Sequence, residues 1–322
     1  MSKLRVGVLR GGPSNEYEVS LKTGSALLRA LSPEKYEPID IFIDRTGTWH
    51  VRGVPREPSR ALSGIDVVVN GLHGKYGEDG EVQNLLEGLR VPYTGSTAIP
   101  SRLAMNKRAS KERLSELSIR LPKHVSIVVG PSMESELIGV FRSMPLPLVV
   151  KPKDSGSSVG VSLARSFHEL EDAVASAFEH SNEVLIEEYI RGKEATVGVI
   201  DQFRDEDLYT LLPIEIIPPR ERSFFDYDAK YTGITKEICP GNFTSEEREA
   251  LQRAAGEVHQ MLGLRHYSRS DFIVSPKGIY FLEANTLPGL TEESLVPKAL
   301  TAVGSTLPEF VDHLVTLAQE RG

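Results

Sequence analysis

Four polar residues at alternate positions of two strand-like runs offer the first chemistry in this sequence. In "SRSDFIVSPKGIYFLEAN", Ser268 to Asn285, the runs flank Pro276-Lys277-Gly278, which suits a three-residue hairpin loop closed by a left-handed glycine. That register sets Ser275 opposite Ile279 and Asp271 opposite Glu283. Strand side chains alternate, so Arg269, Asp271, Glu283 and Asn285 share one face, and Phe272, Val274, Leu282 and Ala284 share the other. Carboxylate and amide oxygens are hard ligands of the kind magnesium takes beside nucleotide phosphates, and a guanidinium suits negative charge building on an oxygen. A solvated antiparallel face with an ion pair gives the same alternation. The asparagine two residues after the glutamate favours the metal, because an amide adds nothing to a salt-bridged face.

A second candidate is "KPKDSGSSVG", Lys151 to Gly160. "LPLVVK" before it and "VGVSLA" after it read as strands, so the segment is a hairpin with a glycine- and serine-rich tip. It lacks the G-x-x-x-x-G-K-[ST] spacing, and no helix follows its glycines. A loop that covers a phosphate and a plain surface hairpin both fit. Lys151 follows an apolar strand directly and is expected buried and paired.

The elements that position these residues are of mixed type. "LRVGVL", "IDIFID" and "IDVVVN" are short apolar runs of the kind buried in parallel sheets. Asn15 and Glu18 form a capping-box-like start for a helix carrying Val19, Leu27, Leu28 and Leu31. Around "AIPSRLAMNKRASKERLSEL" the pattern turns helical, and from "RLPKHVSIV" the strand and helix order changes, which places a domain boundary near residue 98. Boxes at Ser166/Glu169 and Thr244/Glu247 start two further helices, the second stopping at Gly263. Between them, "PPRERSFFDYDAKYTGITKEICPGNF" is long, unpatterned and rich in charge and aromatics, the mark of a functional lid.

The bulk properties narrow the class. With 322 residues, 40% hydrophobic and 25% charged, the chain is sized for two or three domains of ordinary globular composition. A net charge of -8 argues against nucleic acid. No apolar run nears the roughly 18 residues that span a bilayer. The lone Cys239 and the absence of a signal-peptide pattern point to the cytoplasm, with Cys239 itself a packed thiol.

Eight segments, collinear through nearly the whole chain, resemble the ATP-grasp ligases and, within them, the D-alanine:D-alanine ligases: "GGPSNEYEVSLKTG", "GLHGKYGEDGEVQNLLE", "YTGS", "MNKRASK", "VVKPKDSGSSVGV", "VLIEEYIRGKEATVGV", "FFDYDAKY" and "RSDFIV" through "YFLEANTLPGLTEESLVPKA". The resemblance implies an α/β chain of the α+β ATP-grasp kind. A Rossmann-like parallel-sheet domain over 1–98 would precede two ATP-grasp subdomains, 99–184 with the phosphate loop and 185–322 with the metal and substrate site. It implies ATP as a substrate, with Lys107, Lys151 and Ser158 at its phosphates and Lys230 also at the nucleotide. Glu187 and Ile190 would meet the adenine, Glu194 the ribose, and Phe224 and Leu282 the face of the base. Two magnesium ions, with manganese as a substitute, fall to Asp271, Glu283 and Asn285.

The same resemblance sets Glu16 against the ammonium of a first D-alanine, in a network with Ser157 and Tyr231, with His73 nearby. Ser294 and Leu295 receive the second D-alanine, whose carboxylate meets a helix start. Arg269 and the backbone amide of Gly289 donate to the oxyanion. Tyr231, where D-alanine:D-lactate ligases usually carry phenylalanine, favours the peptide product. A homodimer is implied as well. Without the family, Glu16 is a first-turn acid favoured by the helix dipole, His73 a hydrogen-bonded structural histidine, Ser294 an N-cap, Lys107 surface charge, and Glu187 and Glu194 a strand end and a turn residue. Departures from the family pattern are Asn106, where aspartate is common, and the unusual neighbours Arg10 and Tyr17.

Three rivals remain. One is another carboxylate-amine ligase of the same architecture, making D-alanyl-D-lactate, D-alanyl-D-serine or an unrelated dipeptide; Tyr231 and the Ser294 pair weigh against it. Another is a catalytically silent nucleotide-binding homologue, against which Arg269, Asp271, Glu283 and Asn285 are all present. A dinucleotide-binding turn in "VGVLRGGPS" fails on spacing.

Overall fold

A computed structural model describes residues 3–153, 160–218 and 235–320. Ser157, Ser158, Phe224, Lys230 and Tyr231 lie outside the described residues. In chain order the elements are β1 (Leu4–Gly11), α1 (Tyr17–Ala30), β2 (Tyr36–Ile43), β3 (Trp49–Val51), β4 (Val54–Arg56), α2 (Pro58–Ala61), β5 (Val67–Asn70), α3 (Glu81–Gly88), α4 (Ala98–Met105) and α5 (Lys107–Leu114). There follow β6 (His124–Val128), α6 (Met133–Ser143), β7 (Leu148–Pro152), β8 (Ser162–Ala164), α7 (Phe167–Phe178), β9 (Glu183–Glu188), β10 (Lys193–Phe203), β11 (Glu206–Thr210), β12 (Ile214–Ile217) and β13 (Lys236–Ile238). The chain closes with α8 (Ser245–Met261), β14 (Tyr267–Ser275), β15 (Gly278–Asn285), α9 (Leu295–Ala302) and α10 (Leu307–Glu320).

Three sheets result. The first runs β4-β3-β2-β1-β5, with β1 parallel to both β2 and β5. It is buried on both faces, as its continuous apolar runs require. Val6, Val8 and Val69 pack with Leu27, Phe310 and Leu314, while Leu9, Ile41 and Val68 pack with Val82 and Leu86. The C-terminal helix α10 therefore returns to the first sheet. The antiparallel extension by β3 and β4 is absent from the sequence reading.

The second sheet, β6-β9-β7-β8, is antiparallel and rests one face on α6 and α7 through Ile127, Leu148, Val150, Ile186, Leu170 and Val174. The third orders β13-β12-β10-β14-β15, with β11 beside β10, and packs Val197, Phe272 and Phe281 on Leu251, Ala255 and Val258 of α8. The expected domain boundary between 184 and 185 falls inside β9, whose length pairs with β6 and β7. The segment read as an unpatterned lid also contributes β13, which pairs with β12.

Local signals account for some helix starts and not for others. Thr244 and Glu247 form a complete capping box, and Gly263 just past α8 has φ of 65°. Ser166 accepts from the Glu169 amide, but the Glu169 carboxylate accepts from Arg165 N instead of Ser166 N. The expected box at Asn15 does not form. The Ser14 hydroxyl accepts from Glu16 N and donates to the His73 carbonyl, so Glu16 becomes the N-cap of α1 without a side-chain cap. Within the segment read as helical, Asn106 separates α4 from α5 and caps the second, its Oδ1 accepting from Ala109 N at 3.1 Å.

That cap fixes the start of α5, where Lys107 lies. Asn106→Ala is expected to cost about 1 kcal/mol in urea denaturation, and Asn106→Asp, which keeps the acceptor and adds favourable charge at a helix N-terminus, to cost nothing measurable.

Candidate active site

The sheet alternation that buries one face of each C-terminal sheet turns the polar residues to the other. On β7 and β9, Leu148, Val150, Val184 and Ile186 enter the core, so Lys151 and Glu187 point away from α6 and α7. On β10 and β14, Ala195, Val197, Phe272 and Val274 enter the core, so Glu194, Thr196, Arg269 and Asp271 point away from α8. Between these faces lies a cavity of about 590 Å³. Every described residue assigned a site role from the sequence lines it: Glu16, His73, Lys107, Lys151, Glu187, Ile190, Glu194, Arg269, Asp271, Leu282, Glu283, Asn285, Gly289, Ser294 and Leu295. Arg10 and Tyr17 do not. Arg10 forms a two-pronged pair with Asp40, both contacts at 2.6 Å, and the Arg45 guanidinium lies 4.1 Å from the Tyr17 ring centroid.

The β14–β15 hairpin reaches the expected pairing by another route. Ser275 pairs with Gly278 and Val274 with Ile279, so the turn has two residues, Pro276 and Lys277. The Ser275 hydroxyl accepts from Lys277 N and donates to the Gly278 carbonyl, closing the loop one residue early. A bulge between Asp271 and Phe272 then restores Asp271 opposite Glu283 and Arg269 opposite Asn285. The extra residue is Leu282. It lines the cavity instead of joining Phe272 and Ala284 in the core as the simple alternation required.

Each acid that Lys107, Lys111, Lys151 or Arg269 faces here is compensated by that cation. Arg269 donates from Nε and Nη2 to the two Asp271 oxygens at 3.0 and 2.9 Å, and the Thr196 hydroxyl donates to Asp271 Oδ1 at 2.5 Å. Lys107 Nζ lies 3.3 Å from Glu283 Oε2. Glu187 holds two lysines, Lys111 at 2.7 Å and Lys151 at 2.6 Å. Burial alone would raise the Glu187 carboxyl pKa, but the two ammonium groups outweigh it and hold it below the usual range. The Lys111 ammonium is pushed down to about 8, chiefly by burial, with Lys151 adding like-charge repulsion and Glu187 opposing.

The metal expectation can be tested against this donor set. Among the described residues no three acids, histidines or cysteines converge as a metal site. Asp271, Glu283 and Asn285 offer two carboxylates and an amide on one sheet face, which suits a hard divalent cation. Asn285 Oδ1 already accepts from Leu287 N at 2.9 Å, which leaves its second lone pair for a ligand.

At the end formed by the first sheet's loops, His73 is buried, its Nε2 2.8 Å from Thr23 Oγ1, and burial lowers its pKa despite Glu16. Gly74 has φ of 68°, a left-handed conformation that favours glycine, and a Cβ there would lie 2.6 Å from Glu16 Oε2, the far end of that side chain. Ser294 precedes α9, but its hydroxyl does not cap; it accepts from Thr291 N and lies 2.8 Å from Thr291 Oγ1. Away from the cavity, Cys239 is half-buried, which raises its thiol pKa and suits a packed thiol.

Three contributors were not singled out from the sequence. Thr196 could have been found two residues after Glu194 on one strand face. Lys111 stands one helical turn after Lys107 in "MNKRASK". Glu78, in "HGKYGEDG", is buried and accepts from Gly74 N at 2.6 Å and from Leu287 N at 3.3 Å, tying the 73–80 turn to the loop after β15.

Models of the D-ala D-ala ligase N-terminus match residues 5–60 and 51–96, and that of the D-ala D-ala ligase C-terminus matches 116–316. The chain belongs to the D-alanine–D-alanine ligase family. Among curated members, the D-alanine–D-alanine ligase of Syntrophobacter fumaroxidans is 39% identical over 319 residues, covering 99% of this chain and 98% of the relative. That of Geobacter sulfurreducens is 38% identical over 318 residues, covering 98% and 94%. Solved structures agree in fold. The VanG D-Ala:D-Ser ligase of Enterococcus faecalis superposes with a TM-score of 0.86 at 30% identity, over 98% of this chain and 100% of that one. The Bacillus anthracis D-alanine–D-alanine ligase complexed with ATP gives 0.78 at 30%, over 99% and 100%. The protein is thus a ligase-family enzyme of ATP-grasp architecture.

Burial and the negative charge of Glu16 push Glu78 up to about 8, against the pull of its two backbone bonds. A carboxyl with a raised folded pKa binds more protons folded than unfolded, so its contribution is full below about 4.5 and is lost as pH climbs to about 8. Glu78→Gln does not titrate. Its stability relative to the parent is expected to rise between those pH values, read from urea midpoints at pH 5, 7 and 8.5.

Proposed function

We propose that this protein joins two D-alanines into D-alanyl-D-alanine at the expense of ATP, through a D-alanyl phosphate, in the supply of peptidoglycan precursors. The observation that carries this is the convergence of Lys107, Lys151, Asp271, Glu283 and Asn285 with Glu16, Arg269 and Gly289 on one cavity. It is supported by the family of the curated relatives and by the ATP complex of a family member. The proposed division into three units follows the three sheets, with the second junction moved past β9.

The roles follow from charge. Attack of a carboxylate on a phosphate brings two anions together, which Lys107 and Lys151 offset at the phosphoryl oxygens. Glu187, Ile190, Glu194 and Leu282 bind the nucleoside, and Glu16 orients the first D-alanine by its ammonium, with His73 beside it. Asp271, Glu283 and Asn285 would hold magnesium, which would supply positive charge against the phosphates when bound. The first carboxylate oxygen forms a bond to the γ-phosphorus and ADP departs. The amine of the second D-alanine, received by Ser294 and Leu295, attacks the acyl carbon. The resulting oxyanion is met by Arg269 and the Gly289 N–H, and its collapse expels phosphate and forms the amide. Ser157, Ser158, Phe224, Lys230 and Tyr231 would complete the site from segments outside the described residues. No helix among the described residues is long and apolar enough to cross a membrane; the proposed setting is the cytoplasm, as a homodimer.

Phosphate release by the purified protein with ATP, magnesium and D-alanine is expected to depend on D-alanine and to yield D-alanyl-D-alanine by mass. Asp271→Asn should lower the rate by about a hundredfold or more. Release that requires D-serine or D-lactate as second substrate would move the product, and ATP binding without any turnover would overturn the ligase reading.

A further inference from the structure

Lys111 does not line the cavity, yet its side chain is 0% exposed and its ammonium ends 2.7 Å from Glu187 Oε1. Lys107 and Lys111 stand one turn apart on α5 and leave the helix on the same side. One reaches Glu283 on β15 and the other Glu187 on β9, so a single short helix joins the two sheets that form the cavity. Its start is pinned to the second sheet as well, Lys107 N donating to the Lys153 carbonyl at 3.1 Å.

A buried ion pair is a weak source of stability, because apolar groups of the same volume do as well. The third charge matters for what it does to the other two. Glu187 with Lys151 alone is neutral and lets the carboxylate hold the ammonium with both oxygens. Lys111 occupies Oε1, leaves Oε2 for Lys151 at 2.6 Å, and gives the trio one net positive charge at the cavity wall. We infer that Lys111 is a positioning residue for the phosphate end of the cavity, acting through Glu187 to hold the Lys151 ammonium in place toward an incoming polyphosphate. The inference rests on the proposed role of Lys151 at ATP. The charged groups facing Lys111 are Glu187, Lys151 and Glu283. Burial pushes its ammonium down to about 8, which supplies a second readout.

The test measures the ATP dissociation constant by calorimetry, with magnesium, for the parent, Lys111→Met, Glu187→Gln and the double variant, together with the KM for D-alanine. Lys111→Met is expected to weaken ATP about tenfold and to change the KM for D-alanine by less than about twofold. In the Glu187→Gln background the same change should leave ATP affinity unmoved, since the partner through which Lys111 acts is gone. The parent should also lose ATP affinity as pH rises past about 8, and the double variant should not. This comparison stands even if the single lysine variant fails to fold. Unchanged affinity in Lys111→Met, an equal loss in both backgrounds, or a pH limb that persists in the double variant overturns the inference while leaving the ligase reading intact. A parent that binds no ATP overturns both.

Discussion

Carboxylates that face a low-dielectric cleft repel one another and any phosphate that enters, so a buried one must be either paired with a cation or pushed toward its neutral form. Here those cations come from three places: Lys107 and Lys111 from α5, Lys151 from β7, and Arg269 from β14 itself. Removing one partner of such a buried pair leaves an uncompensated charge, a loss of about 3–5 kcal/mol. The side chains on α5, β7 and β14 are therefore constrained to keep these pairs together.

That constraint explains why the second and third sheets have one greasy face each and turn the other toward the cavity. It also explains the local irregularities. The bulge in the β14–β15 hairpin adds Leu282 to the cavity wall while keeping Asp271 opposite Glu283. The break at Asn106 starts a new helix with Lys107 as its first residue. The loops after β1 and β5 bring Glu16, His73 and Glu78 in from the first sheet, and the Glu78 carboxyl fastens that end to the backbone at Leu287, just past Asn285 of β15.

Much of this was legible in the sequence. Continuous apolar runs marked the parallel strands β1, β2 and β5, and the Thr244 box marked α8 as a neighbour-to-neighbour signal. The pairing of Asp271 with Glu283 was also legible, though a one-residue error in the turn was offset by an unforeseen bulge. Of the strands of three residues, β8 was legible in its apolar run, whereas β3, β4 and β13 carry too little pattern to stand out. The Asn15 box failed because Ser14, with a partner 59 residues away at His73, outcompeted it. Lys111 and Glu78 look like surface charges among their sequence neighbours; only tertiary burial makes them part of the site. The roles of individual residues came from the resemblance, since spacing alone cannot tell a phosphate-binding lysine from a solvated one.

The central claim is that a carboxylate of the first D-alanine is activated as an acyl phosphate inside this charge-compensated cleft. The most direct measurement supplies D-alanine labelled with oxygen-18 in its carboxyl group, with ATP and magnesium, and weighs the phosphate released. One labelled oxygen is expected in the phosphate for each peptide bond formed, because the oxygen that attacks phosphorus leaves with it. Unlabelled phosphate accompanying dipeptide formation would rule out activation as an acyl phosphate.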